Sequence, residues 1–137
     1  NNWSVGVRLT FGDNSFVMCG DAENQAEEDI VKNGAVLKAD VLKAGHHGSS
    51  TSTSDAFLKK VSPSWVVIQC GKGNSYGHPH KETMEKLKKA GCQVLRTDEE
   101  GTITAFSDGK TMEYRHCRGS RHQRRQRRQS DSRYPRY

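Results

Sequence analysis

Hydrophobic and polar residues alternate at the start of the chain, as they do along β-strands. Val5, Val7 and Leu9 fall on one face of a run from residue 3 to 10, and a second apolar run, 16–19, follows the polar turn 12–15. The pattern predicts a β-hairpin over residues 3–19.

Helical and extended patterns then alternate along the chain. The predicted segments are a helix from 22 to the Asn33-Gly34 stop, a strand 39–43, a helix 54–62, a strand 64–70, a helix 79–90, a strand 92–96, a turn 98–101 and a hairpin 102–114 around Asp108-Gly109. This order predicts an α/β fold with a mixed sheet and about three helices.

The composition changes abruptly at residue 115. Residues 115–137 hold nine Arg and one acid, Asp131, and few apolar side chains. Such a segment buries too little apolar surface to offset its ordering entropy. We therefore predict a folded domain over 1–114 and an Arg-rich disordered tail over 115–137. A non-native tail, from a shifted reading frame or an appended sequence, is the alternative.

Composition excludes several classes of protein for the predicted domain. Residues 1–114 hold 13 of the chain's 22 basic residues and 15 of its 16 acidic residues. The excess positive charge of the chain therefore belongs to the tail. The four cysteines lack CxxC spacing and suit buried apolar positions better than zinc ligation. The longest apolar run, 65–68, is too short to span a membrane. No signal peptide is predicted, and the missing initiator Met indicates a piece of a longer protein.

Polar side chains follow three consecutive strands of the predicted sheet. Asp21 follows the first, His46 and His47 the second, and His78 and His80 the third. Carboxyl ends of strands gather functional groups in α/β sheets, and carboxylate with imidazole suits zinc, and also manganese or iron. Each residue alone has a simpler interpretation, as a helix cap or a polar turn. Their recurrence at one edge favours a metal site.

Three strings carry a family resemblance: residues 19–22 (CGDA), 43–50 (KAGHHGSS) and 76–80 (YGHPH), with 97–103 (TDEEGTI) closing the domain. In this order they resemble metallo-β-lactamase-fold hydrolases, in particular the branch that holds ComEC-type DNA-uptake competence proteins. The resemblance covers about 1–114. It implies the C-terminal half of a four-layer αβ/βα fold that binds two Zn²⁺ ions between its halves.

The resemblance also assigns roles to individual residues. Asp21 is expected to bridge the metals, His47 to bind metal, and His78 to bind metal or act as a general acid. Adjacent residues of an extended segment point opposite ways, so His46 is expected beside the metal as a catalytic group. The substrate-binding residues in this assignment are Ser49, Ser50 and His80. Pro79 suits the first helical position, which would make His78 the N-cap with a lowered pKa.

The other half of the site is missing from the sequence. The HxHxDH motif of the family's N-terminal half has no counterpart, since no His precedes His46. The resemblance implies a metal-dependent hydrolase of a phosphodiester such as DNA, outside a bacterial membrane or secreted. It also implies a partner, the N-terminal half, whose absence would expose a sheet face and favour self-association. The alternative is an inactive domain whose basic tail binds nucleic acid or another anionic surface.

We predict that the chain alone binds less than a full pair of metal ions, because it supplies only part of the ligand set. Elemental analysis of the purified chain measures this. Two tightly bound ions per chain would contradict the missing-half interpretation.

Overall fold

A five-stranded mixed sheet forms the centre of the molecule. The structure is a computed structural model that describes residues 1–117. The strands β1 (Val7–Phe11), β2 (Asn14–Met18), β3 (Val41–Lys43), β4 (Trp65–Ile68) and β5 (Gln93–Arg96) lie in chain order. β1 pairs antiparallel with β2, and the remaining neighbours are parallel. The predicted hairpin and α/β alternation are confirmed.

Three helices pack on one face of this sheet: α1 (Asn24–Lys32), α2 (Asp55–Val61) and α3 (Lys81–Lys89). Val17, Leu42 and Val66 face each other across β2, β3 and β4 in direct register and are at most 1% exposed. They share one core cluster with Phe57 of α2 and Leu87 of α3. Full burial of each such side chain contributes about 1.5–3 kcal/mol, so this layer fixes where the strand ends lie.

The opposite face of the sheet is much less covered. We call it the second sheet face; it carries Val7, Leu9, Phe11, Phe16, Met18, Val41, Lys43, Trp65, Val67 and Leu95. On its edge strand, Val7, Leu9 and Phe11 are 45%, 52% and 60% exposed. A row of apolar side chains at two-residue spacing normally lies against a second layer.

A separate hairpin covers part of the second sheet face. It consists of β6 (Thr102–Ser107) and β7 (Met112–Cys117), and the ring of Tyr114 stacks on Trp65 with centroids 4.3 Å apart. The strand continues three residues past the predicted boundary at 114, because Arg115 pairs with Thr104. The prediction that the disordered tail begins at 115 is therefore wrong for 115–117. The remainder of that predicted tail lies outside the described residues.

The segment after β5 is a short helix, α4 (Thr97–Glu100), and not the predicted turn, which gives four helices where the pattern indicated three. Thr97 Oγ1 donates to the Cys70 carbonyl at 2.8 Å and accepts from the Cys70 N–H at 2.9 Å. Arg96 donates to both carboxylate oxygens of Asp98, at 3.1 and 2.7 Å. These contacts hold α4 against the end of β4.

None of the helices in residues 1–117 is long and apolar enough to cross a membrane.

The Arg96–Asp98 pair predicts a pH-dependent part of the stability. Hydrogen bonding from Arg96 lowers the pKa of Asp98 below its usual range. A lowered carboxyl pKa adds stability that is present above the unfolded-state pKa, near 3.8, and is lost as the pH falls through the folded-state value. Asp98→Asn should therefore reduce the free energy of unfolding by about 1 kcal/mol at pH 7, and the difference should shrink below pH 3.8. Denaturant unfolding at several pH values measures it, and a difference independent of pH would contradict it.

Candidate metal centre

The three predicted strand ends meet at one edge of the sheet. Asp21 follows β2, His47 follows β3 and His78 follows the loop after β4. The imidazole rings of His46, His47 and His78 lie 5.6–6.5 Å apart between centroids. The prediction that these side chains gather in one place agrees with the geometry, whereas their individual roles stay predictions.

The His46-His47 segment is a tight turn and is not extended. Residues Gly45–Gly48 form a tight turn with a kink inside it, because His46 (φ 45°) and His47 (φ 55°) both adopt left-handed backbone conformations. Such conformations cost about 1–3 kcal/mol per non-glycine residue and persist where surrounding contacts impose them. The expectation that the two rings point opposite ways rested on an extended backbone, and that premise is wrong. Both rings lie beside the ring of His78.

His47 has one nitrogen fixed and the other directed at a carboxylate. Its Nδ1 lies 2.7 Å from the Gln69 carbonyl oxygen, so Nδ1 carries the proton and donates. If the ring is neutral, Nε2 then carries a lone pair and no proton. Nε2 lies 3.5 Å from Asp21 Oδ1. A lone pair facing a carboxylate is repulsive unless a proton or a cation lies between them. A histidine held through its other nitrogen by a carbonyl is the usual arrangement at protein metal sites.

His46 lies beside a second carboxylate. Its Nδ1 is 3.3 Å from Glu23 Oε1, yet the angle does not give a hydrogen bond, and this nitrogen is buried without a partner among the described residues. Buried polar atoms are nearly always hydrogen-bonded, so such an atom commonly marks a place where an ion or water is bound. The backbone N–H of His46 donates to the Gly20 carbonyl at 3.1 Å, which ties the turn to the segment that carries Asp21.

His78 closes the cluster on the third side. Asn74 holds its backbone at both ends: the His78 N–H donates to Asn74 Oδ1 at 3.0 Å, and Asn74 Nδ2 donates to the His78 carbonyl at 2.6 Å. Burial lowers the pKa of His78, and the neighbouring histidines, when charged, lower it further. The expected direction is confirmed, but its cause is not the helix, because the N-cap of α3 is His80 and the helix begins at Lys81. The prediction of His78 as N-cap is wrong.

The three predicted substrate-binding residues make contacts within the protein. His80 Nδ1 accepts from the Ser50 N–H at 3.0 Å, and its Nε2 donates to the Tyr76 carbonyl at 3.1 Å. Ser49 is 4% exposed, and its hydroxyl lies 3.0 Å from Thr51 Oγ1. Ser50 Oγ lies 3.0 Å from His80 Nδ1. These contacts favour a positioning role for the three residues, and substrate contact stays a prediction.

A buried carboxylate organises the backbone behind the site. Glu27 of α1 is 1% exposed, and its two oxygens accept the N–H groups of Thr53 and Ser54, both at 2.7 Å. Thr53 Oγ1 in turn accepts from the Gly45 N–H at 3.2 Å, and Ser52 Oγ donates to the Ala22 carbonyl at 2.7 Å. The loop 49–54 is thereby fixed to the turn that carries the histidines and to the segment that carries Asp21.

The donor set fits a divalent metal in part. Two ligand atoms bound at about 2.0–2.2 Å to one tetrahedral zinc ion lie about 3.3–3.6 Å apart, and Asp21 Oδ1 and His47 Nε2 match this separation at 3.5 Å. Within residues 1–117, however, no group of three or more His, Cys, Asp or Glu side chains is arranged to hold a metal ion. Since catalytic zinc takes three protein ligands, the described residues alone do not make a complete zinc site.

Several groups at the site had no clear signal in the sequence. Glu23 lies against His46. Lys43 is half-buried, and burial lowers its pKa, while the nearby carboxylate of Asp21 acts in the opposite direction. Lys43 is the first residue of the 43–50 string, and this position was the available signal. Glu27 and the Gln69 carbonyl act through backbone contacts that no side-chain pattern displays.

The chain is similar to segments of three larger bacterial proteins. It is 40% identical over 103 residues to ComE operon protein 3 of Bacillus subtilis (strain 168), 38% over 104 residues to competence protein ComA of Neisseria gonorrhoeae, and 36% over 103 residues to recombination protein 2 of Haemophilus influenzae. Each match covers 75% of this chain but only 13–15% of the relative. No protein-family model matches the chain.

These identities make the chain a homologue of one segment of a competence-related protein family. The competence-related part of the sequence resemblance is thus confirmed.

Glu27→Gln tests whether the buried carboxylate holds the site. An amide offers one acceptor oxygen in place of two, so one N–H of Thr53 or Ser54 loses its partner, which costs about 1–3 kcal/mol in the free energy of unfolding. Denaturant unfolding measures the loss. Glu28→Gln, the same change at an exposed neighbour, is the control and should change stability by less than about 0.5 kcal/mol. Equal effects of the two variants would contradict a specific role for Glu27.

Proposed function

We propose that this chain is one half of a metal-dependent hydrolase that cleaves a phosphodiester, with DNA as the substrate. Asp21, His47 and His78 are the metal-binding residues of this half. The observation that carries the proposal is the approach of His47 Nε2 to Asp21 Oδ1 at 3.5 Å, while Nδ1 of the same ring donates to the Gln69 carbonyl.

The residues around this pair suit hydrolysis of an anionic ester. A bound divalent ion such as Zn²⁺ would supply a water molecule of lowered pKa and would stabilise negative charge on the phosphoryl oxygens. Burial lowers the pKa of His78 and so favours its neutral ring, which can bind metal or accept a hydrogen bond from a substrate. His46 lies next to it, and Glu23 Oε1 lies 3.3 Å from His46 Nδ1.

The second sheet face supports the finer assignment of the fold. We propose that the chain is the C-terminal half of a metallo-β-lactamase fold and that the N-terminal half covers Val7, Leu9 and Phe11. All helices of the core lie on the other face, which leaves this one for a second layer. A metal pair between two such halves would take its remaining ligands from the missing half, which accounts for the partial donor set.

The choice of DNA as substrate comes from the relatives. One of them is named a competence protein and another a recombination protein, and homologues of this kind suggest a role in DNA uptake. The site chemistry suits phosphodiesters in general, and DNA is a phosphodiester.

Metal titration of the chain tests the proposal without requiring activity. Zn²⁺ or Mn²⁺ is titrated by calorimetry into the wild type, Asp21→Asn and His47→Asn. We expect each substitution to weaken binding at least about 10-fold, since loss even of a residue that supports a metal ligand costs 10–100-fold.

Matched controls remove the same groups away from the site. Asp29 lies on the exposed side of α1, and His116 of β7 pairs with Glu100 of α4. The variants Asp29→Asn and His116→Asn should therefore bind metal as the wild type does. Metal binding that is unchanged in Asp21→Asn and His47→Asn would rule out this site. Mixing the chain with the segment of ComE operon protein 3 that directly precedes its 103 matching residues, and measuring cleavage of single-stranded DNA, then tests the reaction.

A further inference from the structure

An open pocket adjoins the histidine cluster on the side of the loop after β4. Its volume is about 410 Å³, within the range of small-ligand sites, and it is bounded by His47, His78, Cys70, Asn74, Tyr76 and Thr97. Two of these residues belong to the candidate metal centre, so a molecule in the pocket lies next to the proposed reacting groups.

Tyr76 is the unusual member of this lining. Its ring is stacked on that of His78, with centroids 5.7 Å apart and planes 22° from parallel, yet the residue is 77% exposed. A large aromatic side chain in a polar loop gains little from packing when it is so exposed. Exposed aromatic rings beside a cleft are typical surfaces for the stacking of a flat ligand.

The loop that presents Tyr76 is held in place. Asn74 donates to the carbonyls of Gly71 and His78 and accepts from the His78 N–H, so one amide closes the loop across four residues. The Tyr76 carbonyl also accepts from His80 Nε2. The ring is therefore positioned before any ligand arrives, which reduces the entropy cost of binding.

The remaining walls of the pocket are neutral. Burial, followed by the hydrogen bond to Asp98, raises the pKa of the Cys70 thiol to about 11, so Cys70 carries no charge near pH 7. Thr97 and Asn74 add hydrogen-bonding groups. A flat, uncharged heterocycle suits these walls and the Tyr76 ring, whereas a free phosphate finds no cation among the lining residues.

We propose that this pocket binds a nucleobase next to the scissile phosphate, with Tyr76 as the stacking residue. The inference rests on the proposed function, since it assigns the substrate of the same site as a single-stranded nucleic acid. A base stacked on Tyr76 would place its own phosphate beside His78, and stacking selects for an unpaired base without reading its sequence.

The test compares the affinity of the full chain for two oligonucleotides. EDTA is present so that neither cleavage nor metal binding contributes. Fluorescence anisotropy gives the affinity for an eight-nucleotide oligothymidylate and for an abasic strand of equal length and charge. The Arg-rich segment meets the same phosphates in both, so the ratio of the two affinities reports the contribution of the bases. We expect a ratio of at least about 5 in the wild type, as one stacked base provides.

Variants at Tyr76 assign that ratio to the ring. Tyr76→Ala should reduce it to about 1, and Tyr76→Phe, which keeps the ring, should retain it. Phe11→Ala is the matched control, because it removes a 60% exposed aromatic ring from the other end of the sheet and should leave the ratio unchanged.

A wild-type ratio near 1, or a ratio that survives in Tyr76→Ala, would overturn the inference. Its failure is separable from failure of the proposed function. Asp21→Asn should lose metal but keep the affinity ratio, so metal binding without base-dependent binding removes only the pocket assignment, and the reverse result removes only the metal centre.

Discussion

The site depends on one buried carboxylate. Glu27 projects from the first helix into the space behind the strand ends and accepts two backbone N–H groups of the loop 49–54. A buried charge is costly unless it is hydrogen-bonded, and here both oxygens are used. The loop so fixed contacts the histidine turn through Gly45 and the Asp21 segment through Ala22. The left-handed backbone of His46 and His47 is sustained by this surrounding network, and with it the direction of both rings.

The sequence alone indicates which strand each of the predicted metal-binding residues follows. Alternation, the continuous apolar strand 65–68 and the turn residues predict the sheet and its parallel order, because a period of two or of 3.6 residues reflects a local geometry. Since parallel strands end at one edge, the gathering of Asp21, His47 and His78 follows from topology alone.

The finer geometry depends on contacts that pattern does not encode. The His46-His47 pair was predicted as extended, and the actual turn is imposed by hydrogen bonds that its own N–H groups donate, from His46 to the Gly20 carbonyl and from Gly45 to Thr53 Oγ1. His80, and not His78, precedes the third helix, although Pro79 suits a first helical position. Strand β7 continues beyond residue 115, where the composition changes, because pairing with β6 outweighs the low strand preference of this polar sequence. In the histidine turn and in β7, hydrogen bonds to another segment override a local preference.

Asp21 and His47 are proposed to share a metal ion, and anomalous diffraction at the zinc edge from crystals of the zinc-loaded chain would locate that ion. We expect a peak within about 2.0–2.2 Å of both Asp21 Oδ1 and His47 Nε2. Zinc found only elsewhere, for instance at the cysteines or at His116, with these two atoms unliganded, would contradict it.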